Sequence, residues 1–154
     1  MSQPPSPRAR FGIRFALLAR RWRRALDARL AEAGLTDATW APLVHLDETG
    51  GGLSQKSLAA LVGVDGSSLV RVIDILVTRG LVERRPDPAD GRTRRIHLTP
   101  EGHSRVALIR AELARAEETI LADLSDGEIA EMLDRFDRIE ARFDAAETQG
   151  DPGK

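Results

Sequence analysis

The side chains able to do chemistry in this 154-residue chain are arginines, a few serines and three histidines. His45, His97 and His103 fall in different predicted elements, and neither a glycine-rich phosphate loop nor a nucleophile elbow accompanies them. Zero cysteines exclude a disulfide scaffold, a thiolate zinc site, a cysteine nucleophile and a thiol redox sensor. His97 and His103 stand six apart, which matches no recognised metal spacing. No enzymatic activity, metal or cofactor is expected. What remains is arginine chemistry: a guanidinium offers forked donors that fit a phosphate, a carboxylate or the edge of guanine.

The arginines are unevenly placed. Residues 1–100 carry 16 Lys/Arg against 10 Asp/Glu, and residues 101–154 carry 7 against 14, so a net charge of -1 hides +6 followed by -7. Such a split suits a protein whose first part meets a polyanion while its acidic end points elsewhere. The length gives one domain with a real core and falls short of two. No apolar run approaches the roughly 20 residues of a membrane span, and the Pro-rich start lacks a signal-peptide core. A cytoplasmic location is expected.

The elements that must hold these residues follow from periodicity and caps. Residues 1–7 and 148–154 are polar, Pro/Gly-punctuated ends expected to be a disordered arm and a flexible tail. Phe11, Phe15, Leu18, Trp22 and Leu26 recur at helical steps, giving a long basic first helix that ends before Gly34. A short second helix starts near Thr36, an N-cap candidate, and runs to Gly50-Gly51-Gly52, weakened or bent by Pro42. Ser54 caps a third helix that Gly63 stops. Asp65 caps a fourth with Leu69, Val72, Ile73 and Leu76 inward, closed by Gly80. Two short helices joined this tightly form a helix-turn-helix.

Leu81 to Arg85 and Thr93 to Leu98 read as two strands around a turn from Pro86 to Gly91. Thr99-Pro100 then starts a long helix with Val106, Ile109, Leu113, Ala116 and Ile120 on one stripe. A last stripe, Ile129, Leu133, Phe136, Ile139 and Phe143, follows Ser125-Asp126-Gly127. The expected architecture is mainly α with a small β-hairpin wing: a winged helix-turn-helix at 36–99, flanked by helices at 8–35 and 100–147 that form a dimerisation bundle.

In such a fold the N-terminal outward positions of the fourth helix face the bases of a major groove, and these are Gly66, Ser67, Ser68 and Arg71. Arg71 lies about 200° around the helix from Leu69, at about 100° per residue, hence away from the core. It is the leading base-contact candidate. Ser54, Gln55 and Lys56, at the start of the third helix, are placed for backbone phosphates. Arg92 ends a proline-stiffened turn, where an arginine can enter a minor groove. Arg84, Arg85 and Arg94 add phosphate-neutralising charge. A blander reading makes the serines ordinary first-turn residues and the arginines a solvated face.

The stretch Ser54 to Gly102, SQKSLAALVGVDGSSLVRVIDILVTRGLVERRPDPADGRTRRIHLTPEG, closely resembles the winged helix-turn-helix of the multiple antibiotic resistance regulator (MarR) family. The Arg-Arg-Trp-Arg-Arg run and Trp40 look like its SlyA-type branch. Gly66, early in the recognition helix, and Gly91, between Asp90 and Arg92, depart from what many relatives carry. The resemblance implies a homodimeric transcription regulator on a pseudo-palindromic double-stranded DNA operator, with repression the commoner outcome. It maps a D-x-R-x-x-R pattern onto Asp90, Arg92 and Arg95, with Asp90 expected to orient an arginine.

It also implies a site for a small aromatic carboxylate at Arg20, Arg23, Trp40 and Arg71, with His45 one residue off its matching position. The competing readings are a constitutive DNA binder with no effector, in which Trp40 is core, and a winged-helix protein-interaction module without DNA affinity.

Overall fold

The computed structural model describes residues 6–35 and 39–149. It separates into two compact units, residues 1–116 and 117–154.

Helix α1, Pro7–Glu32, opens one residue earlier than the expected arm allows. Ser6 caps it, its Oγ accepting from Ala9 N–H at 3.3 Å, and Pro7 takes the first helical turn, where a missing N–H costs nothing. Residues 1–5 lie outside the described residues. At its C-terminal end Leu26 and Leu30 enter the core, while Phe11, Phe15 and Leu18 stay about half exposed, the two phenyl rings stacked 6.0 Å apart.

Helix α2 is Trp40–Glu48. Thr36, the expected cap, lies outside the described residues. Because the helix starts at Trp40, Pro42 falls within its first turn and removes no helical hydrogen bond, so it neither weakens nor bends α2 as the sequence suggested. Gly50, Gly51 and Gly52 then all adopt the left-handed conformation, at φ 78°, 80° and 72°. Gly51 N–H reaches Leu46 O at 2.8 Å and Gly52 N–H reaches Ile96 O at 2.9 Å. A Cβ on either of the last two would stand 3.3 Å from the His97 ring.

That turn feeds β1, Leu53–Ser54, a strand the sequence did not announce. Helices α3, Gln55–Val62, and α4, Gly66–Thr78, follow with the expected caps: Ser54, Asp65 and a left-handed Gly63. Strands β2, Val82–Pro86, and β3, Arg94–Leu98, pair antiparallel with Val82 opposite Leu98 and Pro86 opposite Arg94. Strand β1 pairs with the other edge of β3, so the expected hairpin is a three-stranded sheet in the order β1-β3-β2.

One core joins these elements: Leu30, Leu43, Leu46, Leu58, Leu69, Ile73, Leu76, Ile96 and Ile109 are fully buried, each stabilising the fold by about 2 kcal/mol relative to exposure. Helix α5, Pro100–Ile120, starts on a Thr99 cap, whose Oγ1 accepts from Gly102 N–H at 3.0 Å and donates to Gly80 O at 2.5 Å. Gly102 is buried so tightly that a Cβ there would meet Leu81 O at 2.0 Å. Val106, Ile109, Leu113 and Ala116 are buried as the stripe predicts; Ile120 is exposed.

In the second unit, helix α6, Asp126–Gln149, extends into the expected tail as far as Gln149, and 150–154 lie outside the described residues. Ser125 and Glu128 form a reciprocal cap: Ser125 N–H donates to the Glu128 carboxylate at 2.8 Å and Glu128 N–H to Ser125 Oγ at 3.3 Å. The Ser125 amide, and after it the Ser125 hydroxyl at 2.9 Å, hold the Glu128 carboxyl below its ordinary range. Leu133 and Phe143, on its apolar stripe, are exposed. Among the described residues no helix is long and apolar enough to cross a membrane.

Candidate nucleic-acid interface

Helix α4 presents two opposite faces. Leu69, Ile73 and Leu76 have no solvent exposure, and Arg71 projects from the exposed side. Among the described residues the Arg71 guanidinium has no acid partner. The helix begins at Gly66, where a Cβ would meet open space. Ahead of it Asp65 accepts three bonds through its carboxylate: from Ser67 Oγ at 2.6 Å, Ser68 N–H at 2.8 Å and Ser68 Oγ at 2.9 Å. The Ser67 hydroxyl, then the Ser68 amide and hydroxyl, pull the Asp65 pKa from 3.8 to about 2. Both serines, expected to face the bases, donate their hydroxyl protons to their own cap.

At the start of α3, Ser54 Oγ accepts from Ser57 N–H at 3.1 Å and donates to Ser57 Oγ at 2.9 Å. Lys56 is exposed. The Gln55 carbonyl oxygen is buried and, among the described residues, has no hydrogen-bond partner.

The turn between β2 and β3 is organised by two acids with different tasks. Asp90 accepts Arg92 N–H at 3.0 Å and the Thr93 hydroxyl at 3.1 Å, an Asx-type turn. The acid that meets an arginine side chain is Asp87, not Asp90 as the motif suggested: Arg95 Nε lies 2.7 Å from it. The register explains the exchange. Asp87 lies opposite Thr93, its N–H donating to the Thr93 carbonyl at 2.8 Å. That leaves Arg95, two residues further along β3, as its diagonal neighbour on the same face, whereas Asp90 is carried to the tip. Arg92 and Arg94 are exposed, with no acid partner among the described residues.

Two other arginines are already neutralised. Arg84 pairs with Asp74 of α4 at 2.5 Å, and Arg85 with Glu83. Of the residues expected at a carboxylate site, two come together: the Arg23 guanidinium lies over the Trp40 ring, 4.4 Å from its centroid. Asp27, which sequence reasoning missed, binds both, accepting Trp40 Nε1–H at 2.8 Å and Arg23 Nε–H at 3.2 Å. Its i, i+4 spacing from Arg23 was the available signal. Trp40 is 8% exposed. Among the described residues no hydrogen bond or ion pair joins Arg20, His45 or Arg71 to this group; Arg20 and Arg71 are exposed, and His45 lies 3.9 Å from Glu48.

Comparison with known proteins adds family evidence to this geometry. A model described as "MarR family" matches residues 33–93. The solved transcriptional regulator PA3341 is 36% identical over 88% of this chain and 98% of its own, with a TM-score of 0.78. The transcriptional regulator SlyA is 25% identical, covering 86% and 93%, with a TM-score of 0.69. The PcaV transcriptional regulator from Streptomyces coelicolor, solved in complex with its natural ligand, is 31% identical, covering 80% and 89%, with a TM-score of 0.62.

Proposed function

Because the chain belongs to the MarR family, whose members are transcriptional regulators and not enzymes, we propose that it binds double-stranded DNA sequence-specifically as a homodimer and represses by occluding a promoter. Each α4 lies in a major groove, and each β2–β3 turn reaches the adjacent minor groove, on half-sites about one helical turn apart. The observation that carries this reading is the division among arginines. Arg84, Arg85 and Arg95 are paired within the chain, while Arg71, Arg92 and Arg94 are exposed on α4 and the wing and lack acid partners among the described residues.

Arg71 bonds guanine in a bidentate manner, with Gly66, Ser67 and Ser68 lying closest to the groove floor. Ser54, Gln55 and Lys56 set the register on phosphates, Arg92 enters the minor groove, and Arg94 neutralises a phosphate. Asp90 shapes the tip and Arg95 holds the wing in place. The half-exposed stripes, Phe11, Phe15 and Leu18 on α1 and Leu133 and Phe143 on α6, are covered by a second copy, with 8–35 and 100–147 as the dimerisation region. The regulator works in the cytoplasm, where it meets the chromosome.

PcaV, solved with a ligand, supports an effector for this chain as well: a small aromatic carboxylate held by Arg20, Arg23, Trp40, His45 and Arg71 that releases DNA. Such an acid must displace Asp27 from Arg23. The second reading is a constitutive binder with no effector, favoured by the burial of Trp40 and by the carboxylate already resting on Arg23.

Affinity for fragments selected from genomic DNA, measured against salt for Arg71→Ala and Arg92→Ala, tests the mapping. Both variants should stay folded by circular dichroism and bind at least tenfold more weakly. Undiminished affinity in both refutes it.

A further inference from the structure

A carboxylate that has lost its proton can only accept hydrogen bonds. The Asp65 carboxylate lies 2.6 Å from Ser67 Oγ and 2.9 Å from Ser68 Oγ, so in both contacts the proton belongs to the serine and points at the acid. The same hydrogen bonds lower the Asp65 pKa to about 2, so near neutral pH the acid is ionised and accepts both protons. Each hydroxyl is left with lone pairs and no proton to give. Gly66 adds no side chain, and Arg71, three to five residues along the same helix, is purely a donor.

Resting on the DNA-reading role of α4, we propose that Asp65 fixes the hydrogen-bond polarity of the recognition surface, making Ser67 and Ser68 acceptor-only contacts that select the amino groups of adenine N6 or cytosine N4. A serine with a mobile proton reads donor and acceptor edges alike and discriminates little. With its proton locked, it favours a base pair turned so that the amino group lies under it and disfavours one presenting guanine O6 or N7 or thymine O4. The same lock denies these serines any phosphate contact, and the charge of Asp65 disfavours nearby phosphates. Asp65 is thus a positioning residue for specificity: it lowers affinity for DNA at large and sharpens the choice among sites.

Asp65→Asn provides the test, because asparagine caps a helix as well as aspartate does while removing the charge and adding a donor. Fluorescence anisotropy would compare a selected duplex with duplexes carrying purine in place of adenine, or 2-pyrimidinone in place of cytosine, at each half-site position in turn. The natural chain should lose about tenfold at one or two positions beside the guanine read by Arg71. Asp65→Asn should lose little at those positions and bind unrelated DNA more tightly. A natural chain indifferent to every missing amino group, yet still weakened by 7-deazaguanine, overturns the polarity assignment and leaves DNA reading intact. Failure to bind any duplex removes the DNA-reading role and the polarity assignment with it.

Discussion

The Arg95 guanidinium grips the Asp87 carboxylate through Nε at 2.7 Å and Nη2 at 2.6 Å, and turns Nη1 onto the Gly52 carbonyl at 3.1 Å. One side chain therefore fastens the start of the wing turn to the glycine segment that enters β1. Ala89 N–H, and after it Arg95, hold the Asp87 carboxyl below its usual range.

Removing this brace should loosen the wing without unfolding the chain. For Arg95→Ala, deuterium uptake across residues 87–93 should rise while the circular dichroism spectrum is unchanged, and DNA affinity should fall about tenfold. Asp87→Ala should behave alike, and the double variant should be no worse than either single one, as expected of two residues acting through one contact.

Acid should expose the caps. Asp65 has a folded pKa of about 2 against an ordinary 3.8, so its ionised form stabilises the fold above the ordinary value, and that contribution is lost as pH falls from there toward 2. Asp87 and Glu128 are lowered in the same direction. Urea midpoints measured between pH 6 and pH 2.5 should fall steeply for the natural chain and less steeply for Asp65→Asn. Equal slopes would mean that Asp65 is not held in its ionised form by the fold.

Gly102→Ala should be among the most damaging single changes available, because the added methyl meets the Leu81 backbone carbonyl at 2.0 Å, with the Leu98 side chain 3.2 Å away. A loss of about 3 kcal/mol is expected. By contrast, a Cβ at Gly91 meets nothing within 4 Å, and Gly91→Ala should leave the thermal midpoint within a degree or two. Differential scanning calorimetry of the two variants decides.

Paired and unpaired arginines should separate in the salt dependence of binding. Arg94→Ala removes an exposed cation and should lower the slope of log affinity against log salt by about one. Arg84→Ala breaks an ion pair with Asp74 and should leave that slope unchanged.

The order of helices and strands, the caps Ser54, Asp65 and Thr99 and the stop at Gly63 were legible because each rests on a local rule linking a residue type to a backbone conformation. Strand β1 was not, since two residues carry no periodicity and their strand character comes from pairing with Ile96 and Arg95, some 40 positions away. The acid that serves Arg95 was misread for a related reason: Asp87 and Asp90 are chemically alike, and only the folded register decides which of them reaches the guanidinium. Asp27 escaped notice because its partner Trp40 lies across a helix junction. The cap formed by Ser125 and Glu128 was readable from its spacing and was overlooked.

Selection of bound fragments from sheared genomic DNA with the purified protein, its mass in solution measured in parallel, bears most directly on whether this chain regulates genes by gripping duplex DNA as a pair. A dimer that enriches a pseudo-palindrome with half-sites one helical turn apart is the predicted result. A monomer, or a dimer that enriches no sequence even at low ionic strength, would contradict it.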